Sequence, residues 1–142
     1  MVTGKVTPSP EARAALDGYR VSAALRAKAP ERVLAAIQAS ERELPDDYNP
    51  PARLATILRE LARYDEAIAA SDRALLKVYG PRKLTILDGR ATILEKKGDT
   101  EGARVALEQA IAYAATLPSV QRPKRMLERI EKRLLGLKGQ AS

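Results

Sequence analysis

The sequence predicts an all-α protein, an α-solenoid of about three stacked helix pairs closed by a C-terminal capping helix. Three observations carry this. Proline recurs where helices should start, after Ser9, Asn49 and Gly80. Between such marks, segments of about 12 to 18 residues place apolar side chains near a 3.6-residue spacing. The chain also matches itself at one fixed offset of 36, with Ala55 on Ala91, Leu58 on Leu94, Ala67 on Ala103 and Ala74 on Ala110. A single helix pair cannot bury its apolar face, so repeated pairs must stack. Clean alternation in a β-branched context occurs nowhere, and strands have no support.

Seven helices follow in order. The first, about 10–28, is capped by Ser9 and carries Leu16, Tyr19 and Ala23. The second, about 30–44, carries Val33, Ile37 and Leu44. The third, about 50–62, is capped by Asn49 and puts Leu54, Ile57, Leu58 and Leu61 on one face. The fourth, about 64–78, uses Ala67, Ile68, Ser71, Ala74, Leu75 and Val78, and Gly80 closes it in a left-handed conformation. The fifth, about 81–97, uses Leu84, Leu87, Ala91 and Leu94. The sixth, about 99–116, starts at the cap Asp99 and uses Ala103, Leu107, Ala110 and Ile111. The seventh, about 121–137, aligns Leu127, Ile130, Leu134 and Leu137. A flexible N-terminus (1–8), a helical domain (9–138) and a tail (139–142) result.

Composition narrows the chemistry. A chain of 142 residues, 45% hydrophobic and 30% charged, suits one globular domain with a continuous core. It contains no histidine and no cysteine. The commonest general base, the commonest transition-metal ligand and the best nucleophile are therefore missing, along with disulfides. No enzyme activity and no cofactor are expected. No apolar run approaches the roughly 18 residues of a membrane-spanning helix. Without a visible signal peptide, the expectation for the chain as it stands is the cytoplasm, with the periplasm open if the N-terminus is trimmed. The net charge of +7 is concentrated at the end. From Ser119 onward, seven basic side chains face only Glu128 and Glu131, a local balance of +5.

The stretch "LATILRELARYDEAIAASDRA" places Leu54, Ala55, Leu58, Ala62, Tyr64, Ala67 and Ala74 in a recognisable order. The next unit supplies Ala91, Leu94, Gly98, Ala103 and Ala110, but has Arg90 and Thr100 where Leu and an aromatic are usual. In this pattern the chain resembles the tetratricopeptide repeat family. The resemblance covers residues 46–118 well and 10–137 in outline. It implies a right-handed stack with repeats at 10–45, 46–80 and 81–118 and a capping helix at 119–138. The first pair is degenerate: Ala36 and Ala39 fit, whereas Arg32 sits where a small residue is expected.

Several stretches invite a chemical reading. Asp65 and Glu66 form a carboxylate pair, but acidic residues in a first helical turn complement the helix dipole, and Asp99 and Glu101 recur at the same place. Asp46, Asp47 and Asn49 offer clustered oxygens without EF-hand spacing, and a solvated capping loop is the better reading. The basic run with Arg122, Lys124, Arg125, Arg129, Lys132 and Arg133 suits phosphate electrostatically. Its acidic interruptions, apolar stripe and lack of aromatics favour a capping helix, so nucleic acid is a disfavoured partner. No phosphate-binding loop is present.

The resemblance implies that the first helices of each pair form a concave groove that holds a peptide or helix of another protein. The matching positions include Ala52, Arg53, Thr56, Arg59, Asp88, Gly89, Arg90, Thr92 and Glu95. The Lys, Asn and Arg set with which some family members grip a chaperone's C-terminal carboxylate is missing. Arg53, Arg59 and Arg90 are candidate anion contacts or ordinary solvated arginines. The expected work is that of a scaffold or adaptor. The alternative is an accessory domain of a larger assembly whose activity lies in another chain. A homodimer through an exposed end is left open.

Overall fold

The structure, a computed structural model, describes residues 8–140. The expected flexible segment before Pro8 and the last two residues of the tail lie outside the described residues. Within them the chain forms seven α-helices: α1 (Pro10–Arg26), α2 (Glu31–Glu43), α3 (Asn49–Glu60), α4 (Tyr64–Leu75), α5 (Arg82–Lys97), α6 (Thr100–Ala115) and α7 (Lys124–Gln140). A 3-10 turn at Ser119–Gln121 precedes α7, which runs past its expected end. Each helix packs on the next, and α1 on α3 and α3 on α5 also touch, so successive pairs stack with their first helices in one layer.

Local signals explain most boundaries. The Ser9 hydroxyl accepts the Ala12 N–H at 3.1 Å, and the Asp99 carboxylate accepts the Gly102 N–H at 2.8 Å. Asn49 is not the cap of α3; it is the first helical residue. Pro50 and Pro51 follow it and have no N–H, and the next donor, the Ala52 N–H, goes to the Tyr48 carbonyl at 3.1 Å. Asp47 instead accepts the Asn49 N–H at 2.8 Å and its side-chain amide at 3.0 Å. The fourth helix stops at Leu75, short of the expected 78. Gly80, at φ +69°, therefore lies in the following connector, where its N–H donates to the Tyr113 hydroxyl at 3.0 Å.

Helices α1, α3 and α5 end alike. The N–H of Lys28, Ala62 and Gly98 reaches the carbonyl of Leu25, Arg59 and Glu95, and the following N–H reaches Ala24, Leu58 and Leu94. This paired pattern turns the chain with a left-handed residue, and Lys28, Ala62 and Gly98 have φ of 56°, 58° and 96°. The equivalence of Lys28 with Ala62 sets the first pair at an offset of 34 from the second. Val33 and Ser40, both buried, then fall on Ala67 and Ala74, and Arg32, which is exposed, drops out of the comparison. The first pair thus carries larger residues at the crossing positions.

The core runs the length of the stack. Ala67, Ala70, Ala74, Ala103, Ala106 and Ala110 are fully buried, which lets α4 and α6 lie close against their neighbours. Ile130, Leu134 and Leu137 of α7 cover the far end against α5 and α6, and burying each such side chain contributes about 1.5–3 kcal/mol.

Helix α1 departs from its expected face. Leu16 and Tyr19 are 43% and 76% exposed, while Asp17, Val21 and Ala24 point inward. A polar chain sets this rotation. The Ser40 hydroxyl donates to Asp17 at 2.6 Å, Arg13 donates to Ser40 at 3.2 Å, and Arg13 also pairs with Glu43. A buried carboxylate is expensive unless it is satisfied, so α1 turns to keep Asp17 on its partner.

Candidate partner-binding groove

Helices α1, α3 and α5 present one wall, and α7 leans onto the α5 end of it. The face divides into an open half and a closed half. In the open half, α1, α3 and α5 surround a cavity of about 240 Å³ with Val21, Ile86 and Ile93 among its apolar lining. Arg53, Thr56 and Arg59 of α3 reach it, as do Gly89 and Arg90 of α5. Six of the nine groove positions anticipated from sequence therefore meet at one place, Ala52 among them.

The other three sit in the closed half. Arg133 of α7 donates to Asp88 at 2.9 Å, to Glu95 at 2.8 Å and to the Thr92 hydroxyl at 3.0 Å. Arg129 adds a bond to the second Asp88 oxygen at 2.7 Å. A planar guanidinium suits this, because its fork satisfies several acceptors without rearrangement. Asp88, Thr92 and Glu95 are thus engaged within the chain and fasten α7 to α5.

The basic C-terminal residues divide the same way. Arg129 and Arg133 are neutralised by α5. Arg122 donates to the carbonyls of Leu117 and Ala115 at 2.9 and 3.2 Å, supplying donors to the end of α6. Lys124, Arg125 and Lys132 remain exposed without an ion pair among the described residues. Of the six basic residues, five are exposed, and Arg129 and Arg133 have their charge paired.

The carboxylates of the first turns of α4 and α6 are occupied with neighbours. Arg63 holds Glu66 below the usual carboxylate range through a side-chain hydrogen bond, and Arg104 does the same for Glu101. Asp65 pairs with Lys97 of α5 at 2.7 Å. The first two pairs are local to the starts of α4 and α6, only Asp65–Lys97 ties one helix to another, and none of these residues lines the cavity. Among the described residues, no group of three or more acidic, histidine or cysteine side chains is placed to hold a metal. Among them too, no helix is long and apolar enough to cross a membrane.

Sequence reasoning put Ser71 on a packing face, yet it also lines the open cavity from α4. The repeat itself held the signal. Ser71 falls on Leu107 at the offset of 36 and on Ile37 at 34, and both aliphatic residues are fully buried.

No protein-family model matches the sequence, and no relative among curated proteins does. Solved structures do match in shape. The chain is 20% identical to PcrH, solved in complex with the chaperone binding region of PopD, with a TM-score of 0.77 over 100% of both chains. It is 18% identical to the Yersinia enterocolitica type III secretion translocator chaperone SycD, with a TM-score of 0.75 over 99% of this chain and 91% of that one. A second SycD structure, an alternative dimer, gives 19% identity and a TM-score of 0.76 over 96% and 97%. What the chain shares with these chaperones is their fold, a tetratricopeptide-like helical solenoid.

Proposed function

We propose that this chain is a protein-binding chaperone or adaptor that holds an extended or helical segment of a partner in the groove of α1, α3 and α5. The observation that carries this reading is the open cavity on that wall, where Arg53, Thr56, Arg59 and Arg90 converge over an apolar floor. Its helices are held by packing and ion pairs in advance, so a partner meets a surface with little left to order. Its structural neighbour PcrH was solved with a segment of another protein. No reaction is assigned to the chain, and the cytoplasm is the compartment proposed.

Gly89→Trp tests this. A Cβ at Gly89 would meet nothing within 4 Å, and Gly89 lines the cavity, so the indole is directed into that space. Loss of partner capture from the native cell at an unchanged melting temperature is expected. Capture at the wild-type level would move the site elsewhere. A second reading, self-association, is favoured by the exposure of Leu16 and Tyr19 on α1. Sedimentation of the wild type as a dimer and of Leu16→Glu/Tyr19→Glu as a monomer is expected; a wild type that sediments as a monomer would dismiss it.

A further inference from the structure

Arg53 stands apart from the other arginines of the groove. Arg59 pairs with Glu60 at 3.2 Å, Arg90 with Asp72 at 2.8 Å, and Arg133 with Asp88 and Glu95. Arg53 is half-buried, and its Nη1 is shielded from water without an acceptor. The one other buried side-chain polar atom without a partner among the described residues is the Ser71 hydroxyl oxygen, and both residues line the same cavity. Ser71 is 1% exposed and replaces the aliphatic residue that the other two pairs have there. Unmet buried donors are costly, and a fold selected for stability alone would keep the aliphatic. The surroundings also make room for the guanidinium. A Cβ at Gly18 of α1 would lie 3.1 Å from Arg53 Nη2, and Gly89 opens the opposite wall. Mid-helix glycine lowers helix propensity, so both positions give up some stability.

Resting on the groove reading above, we propose that this cavity is a socket for one carboxylate, the Asp or Glu side chain of the bound partner segment. Among the described residues no acidic side chain lines the cavity, so the Arg53 charge has no counterpart there. A guanidinium and a hydroxyl match the two oxygens of a carboxylate in charge and in number of donors, and such charge-assisted bonds are strong where water is excluded. A phosphate would call on more cations, and Arg59 and Arg90 are already committed to Glu60 and Asp72. The cavity lies midway along the stack, between α1 and α5, so a segment can run past it. An internal side chain fits this better than a chain end.

The test is an array of C-terminally amidated dodecapeptides with randomised flanks and Glu, Asp, Gln, Asn or Ala at a fixed central position, probed with the full chain. Acidic centres should bind about tenfold more tightly than their amide isosteres. Arg53→Met should erase that preference without lowering the melting temperature, Arg53→Lys should keep part of it, and Ser71→Ile should weaken it while raising the melting temperature. Equal binding of Glu and Gln peptides, or a preference that survives Arg53→Met, overturns the socket. If peptides bind, Gly89→Trp blocks them and the centre makes no difference, the groove stands and the socket falls. If no peptide binds, or Gly89→Trp binds them all, both fall. Selective binding of a parallel set with free C-termini overturns the assignment to an internal side chain.

Discussion

The two halves of the groove use the same residue type to opposite ends. At the α5–α7 end, Arg133 satisfies Asp88, Thr92 and Glu95 together, and the surface is closed by its own charges. Between α1, α3 and α5, Arg53 has no acceptor for Nη1 and stands over an open cavity. The difference teaches where to look for function in a repeat stack. Arginines in a groove are uninformative as a class, and what distinguishes them is whether the chain supplies their partner. A satisfied fork fastens helices together, whereas an unsatisfied one marks a place left for something else.

That contrast can be broken most forcefully at the closed end. Ile130→Ala removes a fully buried side chain of α7 and should cost about 2–5 kcal/mol in chemical denaturation. Arg133→Met tests the ionic seal more gently. Its side chain is 23% exposed, so solvent screening limits the loss to about 1–2 kcal/mol, and the difference from wild type should shrink in high salt. Arg53→Met is the opposite experiment. Removing an unmatched guanidinium should leave stability unchanged or raise it by about 1 kcal/mol, and a clear loss would erase the contrast. Ala62→Gly, at a φ of 58° between α3 and α4, should stabilise by about 1 kcal/mol and touch neither half.

The smallest effect concerns pH and lies outside both halves. Glu66 and Glu101 are held below their ordinary value of 4.5 by Arg63 and Arg104. A depressed carboxylate contributes stability that is present above its unfolded value and is lost as pH falls through the folded one. A shallow loss of stability beginning near pH 4.5 is therefore expected, and Glu66→Gln/Glu101→Gln should flatten it in acid melting curves.

Much of the fold was legible because it is built from local signals and one period. Ala67, Ala74, Ala103 and Ala110 recur at a fixed offset, since close helix crossings admit only small residues. What escaped was set by partners distant in sequence. Asp17 rotates α1 because Ser40 waits on α2, so the apolar face that Leu16 and Tyr19 suggest is not the one buried. The first pair is spaced at 34 rather than 36, which hid the equivalence of Val33 and Ser40 with Ala67 and Ala74 behind a misaligned Arg32. The groove arginines and acids were visible as residue types. Their division into sealed and open groups was not, because Arg133 and Asp88 come from different helices. Ser71 was the missed clue, a hydroxyl at a position where the repeat otherwise demands an aliphatic.

The modest anchoring of α1 has a consequence for how the molecule breathes. Its apolar hold rests chiefly on Val21 and Ala24, helped by the Asp17–Ser40 bond, whereas α3 and α5 each bury several large side chains. In a stack of nearest-neighbour contacts, the most weakly bound terminal layer peels first. Amide hydrogens of α1 should therefore exchange with solvent fastest among the helices of the groove wall, and those of α3 and α5 slowest. Since Val21 lines the open cavity from α1, that peeling would admit a bulky guest sideways, and occupancy of the cavity should slow the exchange.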